Sequence, residues 1–331
     1  MFTPFQQLEK VKYTYLHKQE LIICFADKGI AIYREEAPVQ VSAVSPWYAC
    51  RFNDWLLFQA ENEGPVQYLQ TGSWQQPAGI LEGSFLLYKA LTDGNTIYIP
   101  AANKLQAFNE HLQPVNTYSV GRAPAAIYKD KYFRLVPHLS GFSLADNTKL
   151  WEVSNDAFLE DKTMLPESYF SLQNGLLIIR SKFESFKNYL TAFDASTGII
   201  TWQHHGFLPA TQYIGDEIFV FSYLMTPGLQ GRLCIINREN GEILKDADLT
   251  DELTQQGFKA SDYYRLVKQD HYLYIMAGYG KALYAFNMNT DKIDWQYKFN
   301  IPAQWLTDIK LYNDSLFITD EQENVHVLKR S

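Results

Sequence analysis

The sequence predicts an all-β fold, an eight-bladed β-propeller built of four-stranded antiparallel blades. The first observation is a hairpin that occurs three times: GFSLADNTKLWEV from residue 141, LTAFDASTGIITWQ from residue 190 and LYAFNMNTDKIDWQ from residue 283. In each copy a Phe is followed nine residues later by a Trp. Similar hairpins that recur along one chain indicate a repeat architecture, and the size of the repeat is that of a propeller blade.

The three hairpins have similar residues in the turn and at the end of the second strand. Five residues after the Phe stands a residue that tolerates a left-handed backbone: Asn147, Gly198 or Asp291. The second strand then ends in a large ring: Trp151, Trp202 or Trp295. We predict that these three indoles are largely buried between blades and have no direct role in binding.

A second pattern gives the number of blades. A strand, a tight polar turn and a strongly apolar strand recur at residues 12–25, 49–58, 88–99, 126–135, 169–179, 213–221, 264–275 and 309–318. Several of the turns, such as 93–95 and 174–175, contain Asp-Gly or Asn-Gly, which favour tight hairpins. A third strand follows each pair and a fourth follows most, so the chain contains eight units. Seven blades is the alternative interpretation.

The eighth unit stops after its third strand, close to Leu328. An unpaired strand edge promotes association, so its missing outer strand must come from elsewhere in the chain. The unassigned segment is residues 3–9, which precedes the first hairpin. We therefore predict one domain over residues 1–331, closed by pairing of the N-terminal strand with the C-terminal blade.

Residues 190–202, LTAFDASTGIITW, resemble the consensus LYALDxxTGxxLWxx of the PQQ-like, or quinoprotein-alcohol-dehydrogenase-like, repeat. Residues 233–245 match with Gly241 in the turn but with Lys245 in place of the Trp. Residues 283–295 match with Asp291 in place of the Gly. The resemblance implies a propeller in which the Trp docks against the neighbouring blade, so Gly198, Gly241 and the three Trp residues are interpreted as structural.

Composition supports strands and limits the partners. The chain has 22 Tyr, 21 Phe and 7 Trp, and aromatic residues pack well on a pleated surface. The formal net charge of -8 argues against a nucleic-acid partner, which needs a basic surface. The acidic balance fits a soluble protein, or one that meets a basic protein partner by electrostatic steering.

The N-terminal residues lack a basic segment followed by an apolar one, and no run of residues is apolar and long enough to span a bilayer. We therefore expect a cytoplasmic protein with no membrane partner. The three cysteines, Cys24, Cys50 and Cys234, lie far apart in apolar strand-like segments. We expect them to be reduced and buried.

No pattern in the sequence indicates an enzyme, a metal site or a cofactor. A PQQ enzyme commonly has adjacent cysteines, and none are present. His204 and His205 are neighbours on a strand, so their side chains point to opposite faces and cannot chelate one metal. No Cys or His spacing matches a zinc site. The Gly-containing loops at 228–231 and 278–280 are not followed by helices, which argues against a phosphate-binding loop.

The long connections 61–65, 154–167, 180–187, 222–231 and 246–262 all belong to one end of the blades, and loops on a rigid scaffold often carry binding residues. Large apolar side chains with acidic neighbours are typical of protein interfaces. The predicted partner-binding residues are Phe158, Glu160, Asp161, Phe183, Phe186, Tyr223, Met225, Asp251 and Glu252. The alternative is that the apolar residues pack beneath their own loops. Residues 249–257 are expected to form a short helix capped by Thr250, with Leu249 and Leu253 on one side.

We conclude from the sequence that the chain is a non-enzymatic, protein-binding propeller. A specific version is an immunity or neutralising protein that caps a toxin or another effector. The alternative from another class is a degenerate quinoprotein-like propeller that binds a small molecule or a sugar. A third possibility resembles the scaffold propellers of outer-membrane assembly, although the missing export and lipid signals count against it.

Overall fold

The computed structural model describes residues 2–17, 20–74, 79–102, 104–120, 124–135, 138–154, 165–182, 188–205, 210–222, 231–257 and 264–330. These residues form eight antiparallel sheets of four strands each. The fold is the predicted eight-bladed β-propeller rather than the seven-bladed alternative. We call each sheet a blade, and in each blade the strands are A to D in the order in which they pair.

Blades 1 to 4 and the turn Ala195–Gly198 form one compact unit. Their strands are β2 (Val11–His17), β3 (Glu20–Phe25), β4 (Gly29–Arg34) and β5 (Ala37–Ser42); β6 (Tyr48–Phe52), β7 (Trp55–Gln59), β8 (Gly64–Gln70) and β9 (Gly79–Phe85); β10 (Leu91–Asp93), β11 (Thr96–Ala101), β12 (Lys104–Phe108) and β13 (Pro114–Ser119); β14 (Ala126–Tyr128), β15 (Lys131–Arg134), β16 (Leu139–Ser143) and β17 (Lys149–Val153). A single turn of 3₁₀-helix, Leu87–Lys89, joins blade 2 to blade 3.

Blades 5 to 8 form the second compact unit. Their strands are β18 (Leu165–Gln173), β19 (Leu176–Lys182), β20 (Asn188–Asp194) and β21 (Ile200–His205); β22 (Ala210–Ile214), β23 (Glu217–Ser222), β24 (Arg232–Asn237) and β25 (Ile243–Asp248); β26 (Tyr264–Gln269), β27 (Tyr272–Ala277), β28 (Ala282–Asn287) and β29 (Lys292–Lys298); β30 (Leu306–Tyr312), β31 (Ser315–Asp320), β32 (Val325–Arg330) and β1 (Phe2–Leu8). A short helix, α1 (Thr250–Gln255), joins blade 6 to blade 7. The single domain over residues 1–331 stays a prediction.

The B strands β3 (ELIICF) and β27 (YLYIMA) are buried on both faces, and β27 packs between blades 6 and 8. The outer D strands instead alternate between exposed and half-buried residues, as in β25 and β29. Apolar clusters join successive blades within each unit. One links blades 6 and 7 through Phe221 and Ile275, and another links blades 3 and 4 through Leu105 and Tyr132. The core therefore lies between the blades.

The two chain ends meet in blade 8, which confirms the predicted pairing. Strand β1 runs antiparallel to β32, with Phe2 opposite Arg330 and Leu8 opposite Val325. Phe2 is buried, and its ring centroid lies 5.4 Å from that of Tyr274 in blade 7. The N-terminal strand therefore completes blade 8 and also packs against blade 7.

Trp151 and Trp202 pack against the C–D turn of the following blade, and the left-handed Gly of that turn makes room for the ring. A Cβ added to Gly198 would lie 2.6 Å from the Trp151 ring, and one added to Gly241 would lie 2.6 Å from the Trp202 ring. Trp202 is buried as predicted, whereas Trp151 and Trp295 are only half-buried.

Two residues that differ from the repeat consensus, Lys245 and Asp291, contact each other in the structure. Lys245 holds the Trp position of blade 6, and Asp291 holds the Gly position in the C–D turn of blade 7. The Lys245 ammonium lies 2.5 Å from Asp291 Oδ1 and also donates to the Met288 carbonyl oxygen at 2.8 Å. An ion pair between blades 6 and 7 thus replaces the contact of an indole with a glycine.

Candidate protein-interaction site

In a four-stranded meander the B–C and D–A connections lie at one end of the blade, and the A–B and C–D turns lie at the other. We call these the loop end and the turn end. The sequence pointed to the loop end for partner binding. Of the residues predicted there, Phe158, Glu160, Asp161, Phe183, Phe186, Tyr223 and Met225 lie outside the described residues, so their role stays a prediction.

The two other predicted residues, Asp251 and Glu252, lie in the first turn of α1. The predicted short helix is confirmed, but Thr250 does not cap it with its side chain. Instead, Asp248 Oδ1 accepts hydrogen bonds from the Thr250 N–H at 3.0 Å and from the Thr250 hydroxyl at 2.6 Å. Leu249 and Leu253 are buried beneath the helix, as expected.

The side chains of Asp251 and Glu252 have different surroundings. Asp251 is exposed, as a residue that steers a partner would be. Glu252 is half-buried, and its Oε1 accepts a hydrogen bond at 3.1 Å from the N–H of Ile293 in β29. Because β29 is an outer strand, this bond satisfies a backbone donor at its edge. The Glu252 side chain therefore stabilises the contact between α1, which joins blades 6 and 7, and the outer strand of blade 7.

Two of the acidic residues near α1, Asp246 and Asp248, accept hydrogen bonds from other residues of the chain. A hydrogen bond from the Arg232 guanidinium holds the pKa of the Asp246 carboxyl below its usual range. Hydrogen bonds from Thr250 likewise lower the pKa of Asp248. Both carboxylates are thus ionised at neutral pH, and both already accept hydrogen bonds from their neighbours.

The structure places an exposed aromatic pair, Tyr279 and Trp305, at the loop end of blades 7 and 8. Tyr279 lies in the B–C turn of blade 7 and is 59% exposed. Trp305 lies in the connection from β29 to β30 and is 36% exposed. The ring centroids are 5.9 Å apart in an edge-to-face arrangement, which is favourable for aromatic rings.

Hydrogen bonds fix the backbone beneath this aromatic pair. Glu321, in the B–C turn of blade 8, accepts hydrogen bonds from the N–H groups of Gln304 and Trp305 at 2.5 and 3.1 Å. The Leu306 N–H donates to the Gly278 carbonyl oxygen at 3.0 Å and so ties the connection to the turn that holds Tyr279. Both rings therefore stand on ordered loops, which lowers the entropy cost of binding a partner.

Glu321 is an anion at neutral pH. Burial by itself would raise the pKa of its carboxyl, but the N–H groups of Gln304, Trp305 and Glu321 itself outweigh this effect. The pKa therefore lies below its usual range. Charge-assisted hydrogen bonds of this kind are stronger than neutral ones, so the loop that carries Trp305 is held firmly.

A second exposed aromatic pair, Trp47 and Tyr88, lies at the loop end of blades 1 to 3. The two side chains are 40% and 38% exposed, and their ring centroids are 5.8 Å apart. The Trp47 N–H donates to the Gln59 carbonyl oxygen at 2.7 Å, and the Trp47 carbonyl oxygen accepts from the Tyr13 hydroxyl at 3.1 Å. The Lys89 ammonium lies over the Tyr88 ring, 5.3 Å from its centroid.

Neither aromatic pair was among the residues that the sequence indicated. Tyr279 stands between Gly278 and Gly280, in a loop for which the sequence predicts no binding site. A large ring between two glycines in a short loop has few side chains beside it to cover it, and this pattern could have marked Tyr279. Trp305 has no comparable signal, because its exposure depends on the neighbouring blade.

The part of the chain that the structure describes contains no group of three or more His, Cys, Asp or Glu residues placed to hold a metal ion. His204 Nε2 lies 2.6 Å from the Gly241 carbonyl oxygen, in a contact between blades 5 and 6. Among the described residues, no helix is both long and apolar enough to cross a membrane. Cys24 and Cys234 are buried and Cys50 is half-buried, and burial raises the thiol pKa of each to about 12.

These features define a β-propeller of PQQ-like repeats with ordered, exposed aromatic pairs at the loop end of its blades. A family model described as outer membrane protein assembly factor BamB matches residues 134–331, which is more than half of the chain. The chain therefore belongs to the family of this assembly factor. The match confirms the predicted membership of the PQQ-like repeat propellers.

Solved structures share the fold across the whole chain. BamB from Moraxella catarrhalis has a TM-score of 0.58 at 12% identity, with full coverage of both chains. The C-terminal WD40 domain of Sif2 has a TM-score of 0.63 at 8% identity, covering 100% of this chain and 99% of that one. Sqt1 from Saccharomyces cerevisiae has a TM-score of 0.60 at 9% identity, covering 99% and 98%. No curated protein matches the chain.

Proposed function

We propose that this chain is a non-enzymatic scaffold that binds a protein partner at the loop end of its blades, with Tyr279 and Trp305 as anchors. The observation that carries the proposal is an exposed aromatic pair whose backbone Glu321 holds in place. Aromatic residues are enriched among the side chains that supply most of the binding energy in protein interfaces. The chain belongs to a family described as an outer membrane protein assembly factor, and this description supports a partner that is itself a protein.

The narrower version of the proposal concerns what binding does to the partner. As an assembly factor, the chain would bind a partner that stays active or is passed on. As an immunity protein, it would cap a toxin or effector and abolish its activity, and the exposed Asp251 would favour a basic partner. An activity assay of the captured partner, with and without this chain, separates the two versions.

The test uses the protein that co-purifies with the full chain from its source, with affinity measured by isothermal titration calorimetry. Replacing Trp305 or Tyr279 by Ala should weaken binding by about 1–3 kcal/mol each, because both rings would be buried in the complex. Leu150→Ala is the matched control, because Leu150 is 47% exposed but lies on the outer strand β17. An unchanged dissociation constant in both aromatic variants would exclude this pair as the site.

Glu321→Gln tests whether the ordered loop matters in addition to the rings. The amide has the same shape as the carboxyl but forms weaker hydrogen bonds with the N–H groups of Gln304 and Trp305. We expect a smaller loss of affinity than in Trp305→Ala, with the folded structure retained. The predicted cytoplasmic location is tested by cell fractionation, and recovery with the membrane fraction would contradict it.

A further inference from the structure

The Trp position of the repeat is occupied by a small polar residue in blade 3. Strand register identifies the equivalent residues, because the Trp always lies opposite the residue that precedes the repeat Phe. The pairs are Gly141 and Trp151 in blade 4, Ala192 and Trp202 in blade 5, Ala285 and Trp295 in blade 7, and Ala107 and Asn116 in blade 3. Asn116 therefore stands where the other three blades have an indole, and the residue opposite it is small, as in those blades.

A cleft of about 770 Å³ lies beside Asn116, within the range of pockets that hold small ligands. Residues 116–119 of β13 form one side, and residues 129–130 and 144–147 of blade 4 form the other. Residues 144–147 belong to the C–D turn of blade 4, and the indoles of Trp151 and Trp202 pack against the equivalent turns of blades 5 and 6. The cleft thus occupies the place that an indole fills between the following blades.

The turn that borders the cleft has the same backbone as the turns that receive an indole. Asn147 has a φ of +62°, compared with +73° at Gly198 and +75° at Gly241. The difference is the side chain: Asn147 has a Cβ, and its Oδ1 accepts a hydrogen bond from the Tyr132 hydroxyl. The site therefore keeps the backbone geometry of the repeat but has a polar side chain where the turns of blades 5 and 6 have Gly198 and Gly241.

Charge also favours an aromatic occupant. Lys129 lines the cleft, with its ammonium 5.0 Å from the Tyr128 ring centroid. The neighbouring Asp130, which also lines the cleft, is paired with Lys131 at 2.8 Å. An ammonium group is attracted to the face of an aromatic ring.

We propose that this cleft binds an aromatic side chain of indole size, presented by an extended segment of a partner protein. The chain's own indoles lie on the equivalent turns of blades 5 and 6, where the turn residue is Gly; here the ring would lie beside Asn147 in the cleft of about 770 Å³. Strand β13 is the last strand of its sheet, and among the described strands it pairs with β12 alone, so its other edge is open to an extended segment. The cleft lies at the turn end of blades 3 and 4 and includes neither Tyr279 nor Trp305, so this inference goes beyond the function proposed above.

The test measures binding of N-acetyl-5-fluorotryptophanamide to the full chain by fluorine NMR. The wild-type protein should broaden the probe signal, with N-acetyl-leucinamide a poor competitor. Asn116→Trp combined with Asn147→Gly places the chain's own indole on a glycine turn, as in blades 4 and 5, and should weaken probe binding at least about tenfold. Val115→Trp is the matched control, because it adds an indole to the same strand at an exposed residue outside the cleft lining. This control should keep probe binding.

Lys129→Gln provides a second variant that does not depend on the new Trp packing well. It should weaken probe binding about two- to fivefold, since it removes the cation but not the cleft. Equal broadening by the wild type and the Asn116→Trp/Asn147→Gly variant would overturn the proposal, as would equal competition by leucinamide. No broadening by the wild type at about 1 mM probe would also overturn it. Trp305→Ala should keep probe binding, so failure of the loop-end site is distinguishable from failure of this one.

Discussion

Replacing Trp202 by Lys and Gly241 by Asp should recreate, between blades 5 and 6, the contact that Lys245 and Asp291 make between blades 6 and 7. In the natural pair the ammonium and carboxylate are 2.5 Å apart, and the side chains are 24% and 47% exposed. The indole and the glycine are therefore expected to be energetically coupled, so that the destabilising effects of the two substitutions do not add. A double-mutant cycle measures this coupling directly.

The magnitude follows from the packing at Gly241. A Cβ added there would lie 2.6 Å from Trp202 Cγ and 2.8 Å from Cδ2, so Gly241→Asp alone must displace the ring at a cost of about 1–3 kcal/mol. Its φ of +75° adds about 1 kcal/mol for a residue with a side chain. Trp202→Lys alone loses a buried ring, at about 3–5 kcal/mol. In the double variant the displacement is absent and a partly exposed ion pair adds at most about 1 kcal/mol.

The assay is urea denaturation of the wild type, both single variants and the double variant, followed by circular dichroism. The double variant should be more stable than the sum of the single effects predicts, by about 1–4 kcal/mol. Gly215→Asp is the control for the backbone alone, because Gly215 has a φ of +59° and an added Cβ would meet no atom within 4 Å. If the two single changes in unfolding free energy sum to that of the double variant within about 0.5 kcal/mol, the two positions are not coupled, and the idea that Lys–Asp replaces Trp–Gly as a pair is wrong.

Three further predictions concern the chain ends, the ion pairs and the thiols. Deleting residues 1–10 removes β1 and exposes the edge of β32, so the melting temperature should fall markedly; unchanged melting would refute the role of β1 in closing blade 8. Because the folded-state pKa of Asp246 is depressed, its contribution is present at neutral pH and is lost as the pH falls through that pKa. Asp246→Asn should therefore be less stable than the wild type at pH 7, by up to about 1 kcal/mol, and should converge with it in acid; a constant difference would contradict this. Because burial raises the thiol pKa values to about 12, iodoacetamide at pH 8 should label the folded protein slowly and the unfolded protein completely, as mass spectrometry would show for Cys24, Cys50 and Cys234.

The blades could be predicted from the amino-acid sequence, because the signals for them are local. A hairpin is encoded by alternating apolar residues and by turn residues that accept positive φ, and eight such signals can be counted along the chain. The closing strand also followed from the sequence, since a blade that lacks its outer strand must find one. The roles of Gly198 and Gly241 followed from the repeat as well, and the structure shows the Trp151 and Trp202 rings packed against these glycines.

The contacts between blades could not be predicted from local patterns, because they form only when the blades pack. Lys245 and Asp291 appeared in the sequence as two separate departures from a consensus, and their pairing depends on which turn each outer strand meets. The exposure of Trp305 and the open cleft beside Asn116 depend in the same way on the blade that follows. Local pattern specifies what each strand and turn is, whereas a binding surface forms from side chains that are distant in sequence and meet only when neighbouring blades pack.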